Sequence, residues 1–217
     1  LMNPEAREMF VKKSKFWAAT QKFLVDQGFL QVEAPVLESI PGGAEAEPFI
    51  THHNALDRDF YLRISLELPL KKLIVGGYEK VFEIGRIFRN EGISTTHLQD
   101  YTQMEFYWAY ADFEMLKKFL QQMYQYIIQE TFGTLKIVSE GHEVDWSGDW
   151  EDVDYFLTFK KHTGLDLETA TDEDLEAYAK KNKIKFGEFA GRGRLIDLIF
   201  KKIRAELGLN KPVFLVN

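Results

Sequence analysis

Two neighbouring segments carry charged and aromatic side chains at a regular spacing that could bind a ligand. Residues 80–90 and 101–111 each alternate apolar and polar side chains, and a polar, Gly-containing loop joins them. A period of two is typical of strands whose successive side chains face opposite ways. Two such segments separated by a short loop predict an antiparallel hairpin.

The polar face of this predicted hairpin combines cationic, anionic and aromatic groups. On the second strand it carries Tyr101, Gln103, Glu105 and Tyr107, while Met104, Phe106 and Trp108 form the opposite, core-facing layer. Arg89 ends the first strand and looks into the same space as Glu105 if the two faces match. An arginine beside a tyrosine ring suits a phosphate and a purine. The alternative is a solvated cross-strand ion pair, worth under about 1 kcal/mol.

Helices and strands that could position this hairpin are read from periodicity and from Gly, Pro and capping residues. Asn3 and Pro4 predict the start of a helix that ends near Gly28, and Ser65 is predicted to cap a second helix. Strands are predicted for 29–37 and 60–65, a loop for 39–49, a hairpin for 135–146, a terminal strand for 211–217, and helices for 113–132, 172–182 and 194–207. This order predicts an α+β fold with helices on one face of an antiparallel sheet.

Composition narrows the possible functions. The 217 residues carry a formal net charge of -7 and include no cysteine. Such a chain has no general attraction to phosphate backbones, and disulfides, thiolate catalysis and cysteine zinc sites are excluded. No apolar run reaches membrane-spanning length, so no membrane partner is expected.

Several segments in the right order resemble one enzyme family. FRNEGISTTH followed by TQMEFYWAYADF resembles motif 2 of the class II aminoacyl-tRNA synthetases, and the first helix with GFLQVEAPVL resembles motif 1, including Pro35. The stretch from IPGGAEAEPF to FRNEGIS closely resembles the lysyl-tRNA synthetases of that class. The match is nearly continuous over 1–113 and continues more weakly in GRGRLIDLIF and KPVFLVN. It implies a class II synthetase-like antiparallel sheet flanked by helices, incomplete at the C-terminus.

The resemblance implies a nucleotide site at one end of the hairpin. Arg89 would be the catalytic residue, binding both the α-phosphate of ATP and the carboxylate of lysine. Glu91 and His97 would lie near the adenine and the triphosphate. Tyr101, which stands where the family usually has Phe, would stack on the adenine.

It also implies an amino-acid site. Gly42, Gly43 and Ala44 would form a loop over the amino acid, Glu67 would hold the α-amino group, and Glu105 and Tyr107 would face the lysine. Simpler interpretations exist: Glu67 also suits the first turn of a helix, and Gly42–Gly43 suits a turn. A metal site at His52 and His53 is disfavoured because adjacent strand residues face opposite ways.

Two departures from the family pattern affect the predicted activity. Thr96 stands where a second arginine is common, while Leu98 and Asp100 stand where Asn and Glu are common. Motif 3 and the strand that supplies the Mg²⁺ ligands are not found, so no metal ligand is expected in this segment. We therefore expect part of a lysine-tRNA ligase catalytic domain that does not complete the reaction alone. Its predicted divisions are a core at 1–146, a peripheral helical insertion at 147–190, and a return helix and strand at 191–217.

The partners implied by the resemblance are lysine, ATP with Mg²⁺, and tRNA in the parent protein, in the cytoplasm. A homodimer through motif 1 is also expected. Two alternatives remain open at this point. One is a repurposed synthetase-like enzyme that activates an amino acid for a non-tRNA acceptor, and the other is a non-catalytic dimerisation or amino-acid-binding module.

Overall fold

Groups of strands and groups of helices follow one another along the chain in a mixed α+β arrangement with antiparallel sheets, which confirms the predicted fold class. The computed structural model describes residues 3–94, 97–139, 141–187, 190–207 and 211–217. The chain divides into two compact units, Leu1–Thr131 and Phe132–Asn217. Among the described residues, no helix has both the length and the apolar character needed to cross a membrane.

The bounds of the elements follow the predicted order closely. The first part of the chain contains α1 (Pro4–Asp26), β1 (Leu30–Gln31), β2 (Leu37–Glu38), β3 (Ile50–His53), a 3-10 turn (Asn54–Leu56), β4 (Arg58–Leu62), α2 (Glu67–Val75), β5 (Lys80–Phe88), β6 (Asp100–Trp108) and α3 (Phe113–Phe132). The later part contains β7 (Lys136–Ser139), β8 (His142–Asp145), β9 (Glu151–Asp154), α4 (Tyr155–Thr163), α5 (Asp172–Lys181), α6 (Arg192–Glu206) and β10 (Val213–Val216).

The first helix begins as its sequence predicts. The Asn3 side chain accepts a hydrogen bond from the backbone N–H of Glu5 at 2.9 Å, and Pro4 occupies the first turn, where its missing N–H costs nothing. The helix ends before Gly28, whose φ of +81° is a left-handed conformation that favours glycine. It buries Ala19, Phe23 and Leu24 on one face.

A three-stranded sheet in the order β1-β5-β6 carries the candidate site. β5 and β6 are antiparallel over nine paired positions, which include Glu83 opposite Glu105, Gly85 opposite Gln103 and Ile87 opposite Tyr101. The predicted hairpin is therefore confirmed. Because directly opposed residues lie on the same face of an antiparallel sheet, these pairs define one face.

The other face of this sheet packs into an aromatic core. Phe82, Met104, Phe106 and Trp108 contact a cluster that contains Phe23, Phe29 and Phe119. The ring centroids of Phe106 and Phe119 are 5.3 Å apart, and those of Phe29 and Phe106 meet edge to face at 5.4 Å. Each fully buried ring of this kind contributes about 1.5–3 kcal/mol. This core fixes which hairpin face is left for a ligand.

The predicted strand at 29–37 is shorter than expected and is split in two. β1 pairs in parallel with β5, whereas β2 pairs antiparallel with β4 in a separate sheet of order β2-β4-β3. Between them Pro35 offers no N–H, and the backbone of Ala34 bonds to side chains instead of a strand. The Ala34 N–H donates to Glu83 Oε2 at 3.0 Å, and its carbonyl accepts from Arg63 Nη1 at 3.0 Å.

The second unit has its own core. Phe159, Leu167, Leu175, Leu195 and Ile199 are buried together there. β7 and β8 form the predicted hairpin, and the predicted terminal strand β10 pairs in parallel with β9, which the sequence did not predict. The three-part division at 146 and 190 stays a prediction.

Candidate functional site

A buried ion pair lies on the same face of the hairpin as Glu105. Arg63 Nη1 lies 2.6 Å from Glu83 Oε1, and the two side chains are only 3% and 4% exposed. Arg63 Nε also donates to the carbonyl of Arg86 at 2.9 Å. Because a buried charge is costly without partners, removing either member is expected to cost about 3–5 kcal/mol. The pair therefore joins β5 firmly to the segment that precedes α2.

Gly85 makes room for this arginine. A β-carbon at position 85 would overlap Arg63 Nη2 and would lie 2.9 Å from Glu83 Oε1. The sequence analysis did not use Arg63 and gave Glu83 no role. Their signal was available as single charged residues inside the apolar segments FYLRIS and KVFEIG. A charge in such a position is usually buried with a partner.

The Glu105 side chain of β6 reaches the start of α2, where several hydrogen-bond donors converge on its carboxylate. Oε1 accepts from Ser65 Oγ and from the backbone N–H of Leu66, both at 3.1 Å. The Gln103 side-chain amide donates to the same oxygen, and the Tyr107 hydroxyl donates to Oε2 at 3.5 Å. Donors at a helix N-terminus suit an anion, so this carboxylate is held in one orientation. These neutral donors, rather than the cross-strand pair with Arg89 considered above, hold Glu105.

Glu67 and the Gly42–Ala44 loop meet at the same place. Gly43 has a φ of +85°, and a β-carbon on it would lie 3.0 Å from the Glu67 β-carbon and 3.1 Å from Ser65 Oγ. This glycine thus lets the loop backbone come against the first turn of α2. Ala44 follows directly and is half-buried. Ser65 Oγ also accepts from the Glu67 N–H at 3.0 Å. The N-cap position of α2 is Leu66, however, so Ser65 stands one residue before the cap that the sequence predicted it to be.

Tyr107 sits between carboxylates, and its phenol is difficult to ionise. Burial and the charges of Glu105 and Glu67 raise the pKa of Tyr107 to about 12. Lys71 is near: its ammonium lies 2.9 Å from Glu67 Oε1 and 5.9 Å from the centre of the Tyr107 ring. At neutral pH, this end of the site therefore presents two carboxylates and a neutral phenol.

A cavity opens at the other end of the same face. It has a volume of about 330 Å³ and is lined by Arg89, Glu91, Gly92, His97, Leu98, Gln99 and Tyr101. The Arg89 guanidinium carbon lies 5.9 Å from the Tyr101 ring centre, and its Nε donates to the carbonyl of Ile64 at 3.4 Å. A cation and an aromatic face are thus offered side by side.

The loop over this cavity is held by its own polar contacts. Ser94 Oγ and His97 Nδ1 are 2.7 Å apart, and the Gln99 amide donates to the carbonyls of Glu91 and Gly92 at 3.4 and 3.3 Å. Thr96, the departure noted in the sequence, lies outside the described residues. Asp100 pairs with Arg86 at 2.5 Å.

The structure brings the predicted site residues together in two groups. Gly43, Glu67, Glu105 and Tyr107 meet around the start of α2, and Arg89, Glu91, His97 and Tyr101 line the cavity at the other end. Gln103, to which the sequence analysis gave no role, bonds to both groups. Tyr101 Oη donates to its Oε1 at 3.0 Å, and its amide donates to Glu105 Oε1. In the described part of the chain, no group of three or more His, Asp or Glu side chains could hold a metal ion. His52 instead contacts Asp59, at 3.1 Å.

Comparisons with known proteins point to the same family as the motifs. Residues 1–207 match the family described as tRNA synthetases class II (D, K and N). The chain is 44% identical over 218 residues to a lysine–tRNA ligase of Thermoanaerobacter pseudethanolicus, which covers 100% of this chain and 44% of that protein. It is 41% identical over 216 residues to the lysine–tRNA ligase of Bacillus subtilis, covering 99% of this chain and 43% of the relative. The chain thus spans less than half the length of these curated relatives.

Proposed function

Because this chain belongs to the class II tRNA synthetases of the aspartate, lysine and asparagine group, we propose that it is the part of a lysine–tRNA ligase catalytic domain that binds lysine and the nucleotide. The observation that carries the proposal is the shared face of β5 and β6. Carboxylates and a phenol meet at one end of it, and an arginine with a tyrosine ring at the other. That order matches an amino acid whose carboxylate must reach a nucleotide phosphate.

Lysine would bind at the end of the face that contains Glu105. A lysine carries two ammonium groups, and this end offers two carboxylates, Glu105 held by its donors and Glu67 paired with the exposed Lys71. Glu67, beside Gly43 and Ala44, would bind the α-ammonium, while Glu105 and the Tyr107 oxygen would bind the side-chain ammonium. An acidic side chain would be repelled here, which disfavours aspartate as the substrate.

The nucleotide would bind in the cavity at the other end. Tyr101 would stack on the adenine, Glu91 and His97 would lie along the adenine and the triphosphate, and Arg89 would bind the α-phosphate. Arg89 would also hold the substrate carboxylate, which brings the two reacting groups together.

The chemistry supported by this arrangement is adenylate formation. A carboxylate oxygen of lysine attacks the α-phosphorus, a new O–P bond forms, and the bond to the β-phosphate breaks to release pyrophosphate. Arg89 stabilises the negative charge on the transferring group, and positioning supplies much of the remaining rate. The described residues offer no metal site, so no step is assigned to Mg²⁺. In the parent protein, transfer of the lysyl group to tRNA follows.

Calorimetry with lysine tests the proposed binding. We expect binding of lysine by this chain, weaker binding of norleucine, which lacks the side-chain ammonium, and no binding of aspartate. Glu105→Gln should weaken lysine binding by roughly 30-fold or more, because it removes the partly buried carboxylate that would pair with the side-chain ammonium. Glu114→Gln, on an exposed carboxylate of α3, should change nothing. Equal affinity for lysine and norleucine would contradict the proposed site.

We also propose that the chain alone binds lysine without completing its activation, since the relatives are more than twice its length. Lysine-dependent exchange between ATP and pyrophosphate measures activation directly. The expected result is no exchange above that of an Arg89→Ala variant. Exchange that requires Arg89 would show instead that the chain is sufficient.

A homodimer through α1 and the adjoining strands is the proposed assembly. Met9, Phe10 and Val11 on α1 are 58%, 52% and 47% exposed, and Leu30 and Leu37 in β1 and β2 are 48% and 46% exposed. An interface would cover exposed apolar side chains of this kind, and a two-fold axis lets one surface pair with its own copy. Sedimentation velocity should show a dimer that Phe10→Gln weakens. Val75→Gln, at an equally apolar exposed position on α2, should leave it intact; a monomeric unmodified chain would overturn this assignment.

A further inference from the structure

Gln103 connects the two ends of the site through an unbroken run of hydrogen bonds. Tyr101 Oη donates to Gln103 Oε1 at 3.0 Å, and Gln103 Nε2 donates to Glu105 Oε1. The three residues alternate along β6 and therefore share one face. Gln103 lies opposite Gly85, which has no side chain to intervene.

Only one orientation of the amide satisfies every member of this run. An ionised carboxylate accepts hydrogen bonds and cannot donate them, so Gln103 must turn its NH₂ toward Glu105. Its carbonyl oxygen then faces Tyr101, whose hydroxyl must donate. Reversing the amide would set two oxygen acceptors against each other at the Glu105 end. The Glu105 carboxylate thereby sets the amide orientation, and the Tyr101 hydroxyl stabilises the amide by donating to the oxygen that this orientation turns toward it.

This run of hydrogen bonds acts chiefly on the orientation of the Glu105 carboxylate. Its Oε1 already accepts from Ser65 and from the Leu66 N–H, so Gln103 supplies a further donor on the side that faces the nucleotide cavity. Without that donor the carboxylate could rotate away from the orientation that leaves Oε2 beside Tyr107. A binding group held within a fraction of an ångström is worth more than the same group free to move.

We propose that Gln103 is a positioning residue through which the Tyr101 hydroxyl, at the nucleotide end, sets the affinity of the lysine pocket. The inference rests on the proposed function, because it requires lysine at Glu105 and a nucleotide ring on Tyr101. A stacked adenine restrains the tyrosine, which fixes the amide and hence Glu105. Since binding linkage is reciprocal, bound lysine must favour the nucleotide by the same factor.

Lysine affinities of four proteins, measured without nucleotide, test this relay, by which we mean the run of hydrogen bonds from Tyr101 through Gln103 to Glu105. The proteins are the unmodified chain, Tyr101→Phe, which keeps the ring and loses only the hydroxyl, Gln103→Met, which keeps the length and loses the amide, and the double variant. We expect about tenfold weaker lysine binding for Gln103→Met and several-fold weaker binding for Tyr101→Phe, as for hydrogen bonds that serve a charged group. The double variant should be no weaker than Gln103→Met, because both changes interrupt one path. Gln21→Met, on α1, is the matched control and should bind lysine normally.

A second readout separates positioning from a merely structural role. Lysine titrations are repeated with a saturating ATP analogue that has a methylene between the α- and β-phosphates. The unmodified chain should bind lysine about fivefold more tightly with the analogue, a coupling at the low end of the usual range. Tyr101→Phe and Gln103→Met should each remove that enhancement. If Tyr101 and Gln103 had only a structural role, the variants would bind lysine more weakly, but the ratio of lysine affinities with and without the analogue would stay the same.

The outcomes are distinguishable. If the unmodified chain binds no lysine, the proposed function fails. If it binds lysine but Tyr101→Phe leaves the lysine affinity unchanged, the relay is wrong. The relay is also wrong if the double variant loses as much binding free energy as the two single variants together. If the analogue has no effect on lysine binding, or if its effect survives in Gln103→Met, the coupling is wrong. Circular dichroism of each variant establishes that the fold is retained.

Discussion

Tyr107 shows how one side chain can be tuned by what surrounds it. Its hydroxyl donates to Glu105, while the charges of Glu105 and Glu67 oppose a third negative charge beside them. The phenol therefore stays neutral across the range in which a lysine ammonium stays charged. A neutral oxygen next to two carboxylates can accept from an ammonium without further repulsion among the anions.

A pH titration tests this residue. The pKa of Tyr107 is raised from about 10 to about 12, so the native state holds this proton more tightly than the unfolded chain. The free energy of unfolding should therefore be unaffected by Tyr107 below about pH 10 and should fall as pH rises toward 12. Denaturant unfolding between pH 9 and 11.5 should show a steeper fall for the unmodified chain than for Tyr107→Phe. Parallel curves for the two proteins would mean that the phenol ionises normally.

The site residues could be predicted from the sequence only in part, for a physical reason. Alternation along β6 placed Glu105 and Tyr107 on one face without any knowledge of the fold. The partners that hold Glu105 come from the start of α2, about forty positions away in the chain. No local pattern encodes such a long-range contact. Arg63 was missed because its role depends on the space that Gly85, on β5, leaves for it.

At the scale of elements, the sequence predicted best those elements whose backbone N–H and C=O groups find hydrogen-bond partners nearby in the chain. α3 spans the predicted 113–132, and α1 begins at its predicted cap. The prediction failed at β1 and β2, where apolar periodicity suggested one strand. There the backbone of Ala34 bonds to Glu83 and Arg63. β9 was missed for a similar reason, since its partner β10 lies some sixty residues away.

The start of α5 offers a clean test of local stabilisation. Thr171 Oγ1 accepts from the Asp174 N–H at 3.2 Å, and Asp174 Oδ2 accepts from the Thr171 N–H at 2.9 Å, which is a reciprocal capping box. Thr171→Ala should lower the free energy of unfolding by about 1 kcal/mol. Thr171→Ser keeps the hydroxyl and should lose only a small part of that. Equal losses for Ala and Ser in chemical denaturation would assign the effect to the methyl group instead.

At the scale of the whole molecule, the described residues form separate hydrophobic cores. One core lies on the β5–β6 sheet and includes Phe82 and Phe119, a smaller one includes Leu66 and Leu70, and the core of the second unit includes Phe159 and Leu175. No described residue belongs to both the sheet core and the core of the second unit. Local stability should therefore be adjustable in one unit at a time.

Hydrogen exchange of a core variant tests this separation. Leu175→Ala removes a fully buried side chain from the second unit and should cost about 2–5 kcal/mol there. Amides of α5 and α6 should then exchange faster, because those helices depend on this core. Amides in β5 and β6 should keep their protection. Faster exchange in β5 and β6 as well would show that the chain unfolds as one cooperative block.

The space beside Gly85 that Arg63 occupies restricts how this protein can change over generations. An alanine there is blocked for as long as Arg63 remains, and loss of Arg63 strands the buried charge of Glu83. Each single substitution is therefore harmful, although a combined replacement of all three by well-packed neutral side chains could be tolerated. The trio should be inherited as a unit, and a genetic screen for revertants of Gly85→Ala should recover either Gly85 itself or changes at positions 63 and 83 together. Arg63, Glu83 and Gly85 are thus difficult to replace one at a time, because every single substitution among them destabilises the protein.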